Sequence, residues 1–461
     1  MKRLVRRSLA KAGAAWWGLT LCALVFFAAL PSLSYAQGAQ GTAATPAAQP
    51  PSAPPPGQDP AKPAGDGEEK AKPVGFRWNK GLSLRLGGAG RIDFKARLQG
   101  DLQDSDGPIA DDDVSWDVAN QRVGIEGELF DLLEFQVERE LTGDEPWRDV
   151  YVNVRPTTSV QVQGGHFKLP FSLDENTGST NLDFVYRSLA ARQLAPGRDA
   201  GVMVHGRLLA RRILRYEAGV FDEDGRNART SNTTKVWGGT TGAARVVVQP
   251  WRTLQSPFED FQVGVAATRS DVPEGIPSLR GRAVLGELFY DPETPVLGLR
   301  RRTGVEARWR PGPFSIKSEY IRVTTAREEQ SLESTDLSPL LGTGWYVSGT
   351  WALTGERKAR GLDEPRRPFV QGGIGAVELA VRTEALDFRS TGDGEPSNSP
   401  RADVIPPVAD RVFTFGVNWY LNRYVKVQAN VVRESFSDPE RSPKPGDPVI
   451  VSTLLRIQLT I

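Results

Sequence analysis

Fifty-seven lysines and arginines stand against two histidines and one cysteine in this 461-residue chain, and that imbalance decides which chemistry is open to it. A nucleophile activated by a base would need His166 or His205 held beside a serine or threonine, with an acid to orient the ring. His166 instead lies at the end of an extended stretch, and His205 alternates with apolar neighbours beside Arg207. No histidine pair has metal-ligand spacing, and the acidic stretch DDDVSWD at 111 to 117 reads as a solvated loop rather than a calcium site. A glycine-rich phosphate loop leading into a helix is absent. No catalytic residue, metal or cofactor is expected. What remains is fixed positive charge: arginine offers oxyanions a planar, bidentate, permanently charged fork, and lysine offers a point charge.

Those charges sit in a period-two pattern. In RIDFKARL, Ile92, Phe94, Ala96 and Leu98 point one way while Arg91, Asp93, Lys95 and Arg97 point the other. QRVGIEGEL sets Val123, Ile125 and Leu129 against Glu126 and Glu128, and VFTFGVNWYL sets Phe413, Phe415, Val417 and Trp419 against Thr414, Asn418 and Tyr420. YVKVQANVV and the terminal LRIQLTI repeat the pattern, with Lys426, Gln428, Asn430, Arg456, Gln458 and Thr460 on the polar side.

Alternation alone also fits a soluble sandwich. Three further features break the tie. Helical patterning is absent from Phe76 onward, with no run of eighteen apolar residues that could form a transmembrane helix. Tight connections (FDLL at 130 to 133, PTT at 156 to 158, RPGP at 310 to 313, LNRY at 421 to 424) alternate with long polar ones. The chain also signals export and ends on an alternating strand. Together these predict an all-β transmembrane antiparallel barrel with short periplasmic turns and long outer loops. Strands are expected near 82–98, 120–129, 133–141, 147–155, 159–167, 201–209, 213–222, 243–250, 259–268, 302–310, 313–323, 343–354, 373–388, 411–420, 424–434 and 451–461. The strand-like 282–290 is assigned to an outer loop, because a further crossing would put RPGP on the wrong side. The total of about sixteen is the size at which a barrel encloses a water-filled channel.

Export is read from residues 1–36. Lys2, Arg3, Arg6, Arg7 and Lys11 precede an uncharged, mostly apolar stretch, and Ser34-Tyr35-Ala36 offers a cleavage site. A retained N-terminal anchor is the alternative. Cleavage removes Cys22, the only cysteine, and five basic residues, leaving 52 basic against 56 acidic residues, a net charge of −4 that does not support bulk attraction to nucleic acid. Residues 37–75, as in TPAAQPPSAPPPGQDPAKPAGDG, carry too little apolar surface to offset the entropy of ordering and read as a short disordered linker. The barrel domain is 76–461.

Within it, GGHFKLPFSLDENTG at 164 to 178 is a strand that stops at Pro170, whose missing N–H ends pairing, so 169–199 becomes the third outer loop. Around it, GHFKLPFS (165–172), YRS (186–188), PGRDAGVMV (196–204), AGVFDEDG (218–225), WALTGE (351–356), ELAVR (378–382) and GVNWYLN (416–422) resemble, in order and spacing, the phosphate-selective porin O and P family. The resemblance implies a sixteen-stranded homotrimeric porin in the outer membrane of a Gram-negative bacterium, surrounded by outer-membrane lipid. Its third loop would form the constriction, and basic side chains would conduct inorganic phosphate or other small anions.

By alternation, Arg85, Arg91, Lys95, Arg97, Arg155, Arg308, Arg310, Lys317, Arg382, Lys426 and Arg456 are expected to face the lumen. Lys168, Arg187 and Arg198, in loop segments that match the family, are expected at the constriction. Two features depart from the expectation. The hairpin 122–140 turns Glu126, Glu128, Glu134, Glu138 and Glu140 to one side, which would make part of the wall negative, and Ile461 stands where many barrels end on an aromatic residue. A weakly selective porin, and a plugged barrel with an adhesive role, stay open as alternatives. Trp309, Tyr320, Trp345, Trp351 and Trp419 are read as a lipid-facing girdle rather than as sugar platforms.

Overall fold

The computed structural model describes residues 74–78, 80–106, 115–142, 146–209, 212–225, 239–274, 279–362 and 364–461. The export segment, nearly all of the linker and residues 111–114 of the acidic stretch lie outside the described residues. Twenty strands follow one another: β1 Val74–Trp78, β2 Leu82–Leu86, β3 Gly90–Ser105, β4 Ser115–Leu129, β5 Leu133–Glu140, β6 Trp147–Val154, β7 Gln161–Lys168, β8 Arg198–Leu208, β9 Leu214–Phe221, β10 Thr241–Val248, β11 Gln262–Val272, β12 Gly281–Arg282, β13 Leu288–Tyr290, β14 Gly298–Trp309, β15 Phe314–Arg327, β16 Leu337–Ala352, β17 Ala376–Ser390, β18 Val408–Tyr420, β19 Val425–Phe436 and β20 Val449–Thr460. Two short helices, α1 Leu173–Asn176 and α2 Leu189–Leu194, occupy the connection after β7.

Sixteen strands, β3 to β11 and β14 to β20, pair antiparallel with their neighbours, and β20 pairs with β3 from Ser452↔Ser105 to Thr460↔Arg97, closing the ring. Closure removes the open sheet edge that lipid would not tolerate. The hairpin β12–β13 stands apart from the ring, so 282–290 does not cross. The stretch expected as one strand at 82–98 is two. The sequence Gly87-Gly88-Ala89-Gly90 turns there, with Gly87 at φ 66° and Gly90 at φ 140°, so β2 folds back on β3 through Leu84↔Ile92. β2 thereby pairs the edge of β3 that lies beyond the reach of β20, whose terminal Ile461 bonds Ala96 in both directions at 3.0 and 2.9 Å.

Burial runs inside out. On β18, Thr414, Asn418 and Tyr420 are buried while Phe413, Phe415 and Trp419 are exposed, and β20 buries Arg456 and Gln458 while exposing Ile457 and Leu459. An outer wall built of valine, phenylalanine and tryptophan is stable only in lipid. The girdle residues Tyr320, Trp345, Trp351 and Trp419 all face outward. Not every inner connection is tight: 249–261 and 353–375 are long, and the second contains a short turn at Lys358–Arg360.

Val305 lies on the outward face of β14, 56 % exposed. Val305→Arg is expected to destabilise the folded barrel by about 2–4 kcal/mol if it lies near the bilayer midplane. Urea-dependent folding into lipid vesicles measures this, and an unchanged midpoint would contradict the outward assignment.

Candidate functional site

The connection 169–197 turns into the barrel after Lys168. Its backbone loses sheet partners there, and buried N–H and C=O groups need replacements. The wall supplies them. Glu319 on β15 accepts from the N–H groups of Leu173 and Asp174 at 2.8 and 2.9 Å, and Glu384 on β17 accepts from Leu189 at 2.6 Å. Asn430 accepts from the Val185 N–H at 2.8 Å, Asn418 donates to the Asp183 carbonyl at 2.8 Å, and Lys426 donates to the carbonyls of Thr180 and Leu182, both at 3.0 Å. Ser172 and Ser188 cap α1 and α2. The apolar side of α2 buries Leu189, Ala190 and Leu194 against the wall, where Gly344 leaves room: a Cβ there would lie 2.9 Å from that of Ala190.

A second connection joins it. Leu279, Ala283, Val284, Phe289 and Tyr290 are buried in the same apolar cluster as Phe171 and α2, and Tyr290 stacks on Phe388 at 4.7 Å. Glu434 fixes the insert by accepting from Val284 N–H at 2.8 Å. The outer part of the lumen beside β15 to β19 is thus filled by apolar packing.

Two large cavities flank the loop tip, one on each side. The outer one, about 820 Å³, and the inner one, about 800 Å³, both touch Gly178, Thr180 and Asn181. Nine cationic side chains line the outer cavity against four acids, Asp101, Glu138, Asp149 and Glu175. Eight line the inner one against two, Asp183 and Glu217.

The expected residues divide between these places. Lys95, Arg97, Lys168, Arg187 and Arg198 line the outer cavity; Arg308 and Arg310 line the inner one. Arg97 bridges wall and loop tip, its Nη1 donating to Ser179 Oγ at 2.8 Å. Lys95 pairs with Glu126, Arg198 makes a bidentate pair with Asp149 at 3.2 and 2.7 Å, and Arg310 does the same with Asp260 at 2.5 and 2.8 Å. Lys168 and Arg187 brace the loop from within, each paired with Glu175, and Arg187 also donates to the Thr177 carbonyl at 2.7 Å. Arg308 donates to Gln262 at 2.8 Å.

Arg382 and Arg91 line neither cavity. Arg382 lies beneath the loop, 2.9 Å from Glu384 and stacked on Phe184 and Tyr186 at 4.4 and 4.2 Å. It holds the loop rather than facing the passage. Arg91 sits with Asp93 at 3.2 Å near the inner rim, and Arg85 faces it across the β2–β3 pair. Every glutamate of the acidic hairpin has a cationic partner: Glu126 meets Lys95, Glu128 and Glu134 share Arg155, Glu138 and Glu140 share Arg122 at 3.1 and 2.5 Å, and Glu140 also meets Arg148 at 3.4 Å.

Sequence reasoning missed Arg148, Arg192 and Lys358. Between Val150↔Val137 and Trp147↔Arg139, β6 spends one residue more than β5, and this bulge turns Arg148 inward against its alternation. Lys358 enters the lumen from the long inner connection and, with Lys317, clasps Asp183 at 2.8 and 2.6 Å. Burial opposes ionisation of Asp183, but the two ammonium groups outweigh it and hold the carboxyl well below the usual range.

Comparison with known proteins places this geometry. The profile of the family described as phosphate-selective porin O and P matches residues 92–460. Porin O of Pseudomonas aeruginosa is 26 % identical over 133 residues, which span 28 % of this chain and 28 % of that protein. Among solved structures, the in-vitro folded outer membrane protein OmpT of Vibrio cholerae has a TM-score of 0.51 at 12 % identity, covering 81 % of this chain and 98 % of that one. Its trimer form gives the same score and identity and is covered completely. At this identity the likeness is one of fold.

Glu319→Ala removes the acceptor of two loop N–H groups and is expected to weaken the loop's seat by about 1–3 kcal/mol. Single-channel recording should then show larger, noisier conductance, and a trace identical to the parent's would refute the anchoring role. The Asp183 contribution is present above the ordinary carboxylate pKa of about 3.9 and lost only as pH falls through the depressed folded value. Proteolytic nicking of the 177–181 tip should therefore be no faster at about pH 5 than at about pH 8; faster nicking at the lower pH would count against the clasp.

Proposed function

The chain belongs to the phosphate-selective porin O and P family, and from that premise we propose that it conducts small oxyanions, with inorganic phosphate preferred. It is an outer-membrane channel of a Gram-negative bacterium. The observation that carries the anion assignment is the cationic excess on both sides of the loop tip, nine against four outside and eight against two inside. A phosphate ion entering a narrow passage loses hydration, and guanidinium forks replace it with charge-assisted hydrogen bonds. Assembly as a homotrimer is part of the proposal, supported by family membership and by the fold shared with the trimer form of the Vibrio protein.

Planar-bilayer reversal potentials in a chloride gradient, with phosphate titrated from micromolar to millimolar, test the reading. Anion selectivity and block by phosphate are expected. In Arg97→Gln the blocking concentration should rise about tenfold or more, the scale of one charge-assisted hydrogen bond. Conductance without phosphate block would leave a general porin, and cation preference would overturn the anion assignment.

A further inference from the structure

The lipid-facing wall carries charge where none is needed for folding. Alternation places Arg269 on β11, Arg301 on β14, Arg322 on β15, Arg389 on β17, Arg411 on β18 and Arg433 on β19 on the outward face, and all six are exposed. Each lies in the half of its strand that leads to a long connection, between the apolar band and the outer loops. Arg269 and Arg301 stand directly opposite each other in register. Like charges so placed repel and destabilise a sheet unless an anion lies between them.

Their surroundings do not supply that anion. Only Arg411 has an ion pair among the described residues, with Asp387 at 2.7 Å; the other five have neither an acidic partner nor a side-chain hydrogen bond. Asp271 is exposed on the same face of β11, two residues beyond Arg269, and is not bonded to it. The belt is also one-ended and concentrated on β11 to β19; elsewhere Arg139 of β5 is exposed on the outward face, but it lies over the Trp147 ring at 5.3 Å. At the corresponding outward positions of β8 to β10 stand Val202, Ala218, Val220, Gly242 and Ala244, a shallow apolar groove that Arg269 and Arg301 edge on its far side. At the inner ends of strands that bear the belt stand aromatic stacks instead, Phe258 on Trp309 at 4.8 Å and Phe314 on Trp351 at 5.9 Å. General snorkelling of long side chains to both interfaces would not produce this asymmetry.

We propose that this arginine belt binds the phosphorylated head groups of the glycolipid that forms the outer leaflet of the membrane. Guanidinium is suited to bidentate capture of a phosphate monoester, and a lipid phosphate is the anion that reaches this wall at head-group depth. The site is separate from the lumen, because its side chains point away from it.

The test uses the full mature chain purified in detergent. It is offered lipopolysaccharide carrying its lipid A phosphates, the same lipid after enzymatic dephosphorylation, or phosphatidylglycerol, and retained lipid is counted by native mass spectrometry. Retention of the phosphorylated glycolipid at least about tenfold above the other two is expected. In the variant R301Q/R322Q/R389Q/R433Q that preference should vanish while channel conductance, read as proof of folding, is unchanged. Equal retention of phosphorylated and dephosphorylated lipid by the unaltered protein would overturn the proposal even if the variant failed to fold. So would preference for phosphatidylglycerol, or complete displacement of the glycolipid by millimolar inorganic phosphate, which would mark a plain anion site.

Discussion

A closed wall in lipid must turn its apolar side chains outward, and this constraint governs the inside of the molecule. Every second side chain is forced into a lumen whose own lining is largely polar, so an infolded loop cannot be seated by wall hydrophobics alone. Here the loop is held by carboxylates and amides of the wall, chiefly Glu319, Glu384 and Asn430, which take up the N–H groups its backbone brings in. Charge buried in this way is stable only when paired or fully hydrogen-bonded. Arg382, enclosed by Glu384 and two aromatic rings, is the complementary positive brace. Residues that look by alternation like pore lining are thereby converted into scaffold.

Much of this was legible in the sequence. The period-two pattern, the tight turns and the even strand number follow from the pleat and from lipid, which act on every residue. Lys95, Arg97 and Arg308 could be placed in the lumen because the alternation around each is unbroken, and Arg310 continues that of β14 into the turn. Arg148 could not, because one extra residue in β6 reverses its face without changing local composition. The fate of Arg382 was equally hidden, since alternation tells that a side chain points inward but not whether a loop will cover it. Lys358 belongs to a connection whose path into the lumen depends on Asp183, a partner 175 residues away. The second infolded segment, around Phe289 and Tyr290, reads as strand-like, and turn parity alone keeps it from being a crossing; its packing against Phe388 and Phe436 inside the barrel was not legible.

Net charge is a poor guide to such a channel. The chain without its export segment is acidic by four, yet both cavities are lined mainly by cations. The five glutamates of the 122–140 hairpin reconcile these facts. Each is paired with a lysine or arginine of the wall, two of them sharing Arg155 and two sharing Arg122, so the hairpin's negative field is largely offset where it arises.

The partners of the remaining cations grade the passage. Arg198 with Asp149, Arg456 with Asp101 and Arg310 with Asp260 are closed bidentate pairs whose charge is largely cancelled at a distance. Arg308 is bonded to a side-chain amide and Lys426 to backbone carbonyls, so neither is closed by a carboxylate among the described residues. Arg97 is intermediate, bonded to the Ser179 hydroxyl and 4.0 Å from a Glu138 already engaged by Arg122 at 3.1 Å. These less compensated cations occur on the outer side of the loop tip, beneath it and in the inner cavity. An anion moving inward therefore meets a spaced series of attractive charges, not one deep well. Under the proposed anion function, such spacing meets the condition for conduction through a selective pore, in which each site replaces lost water and still releases the ion.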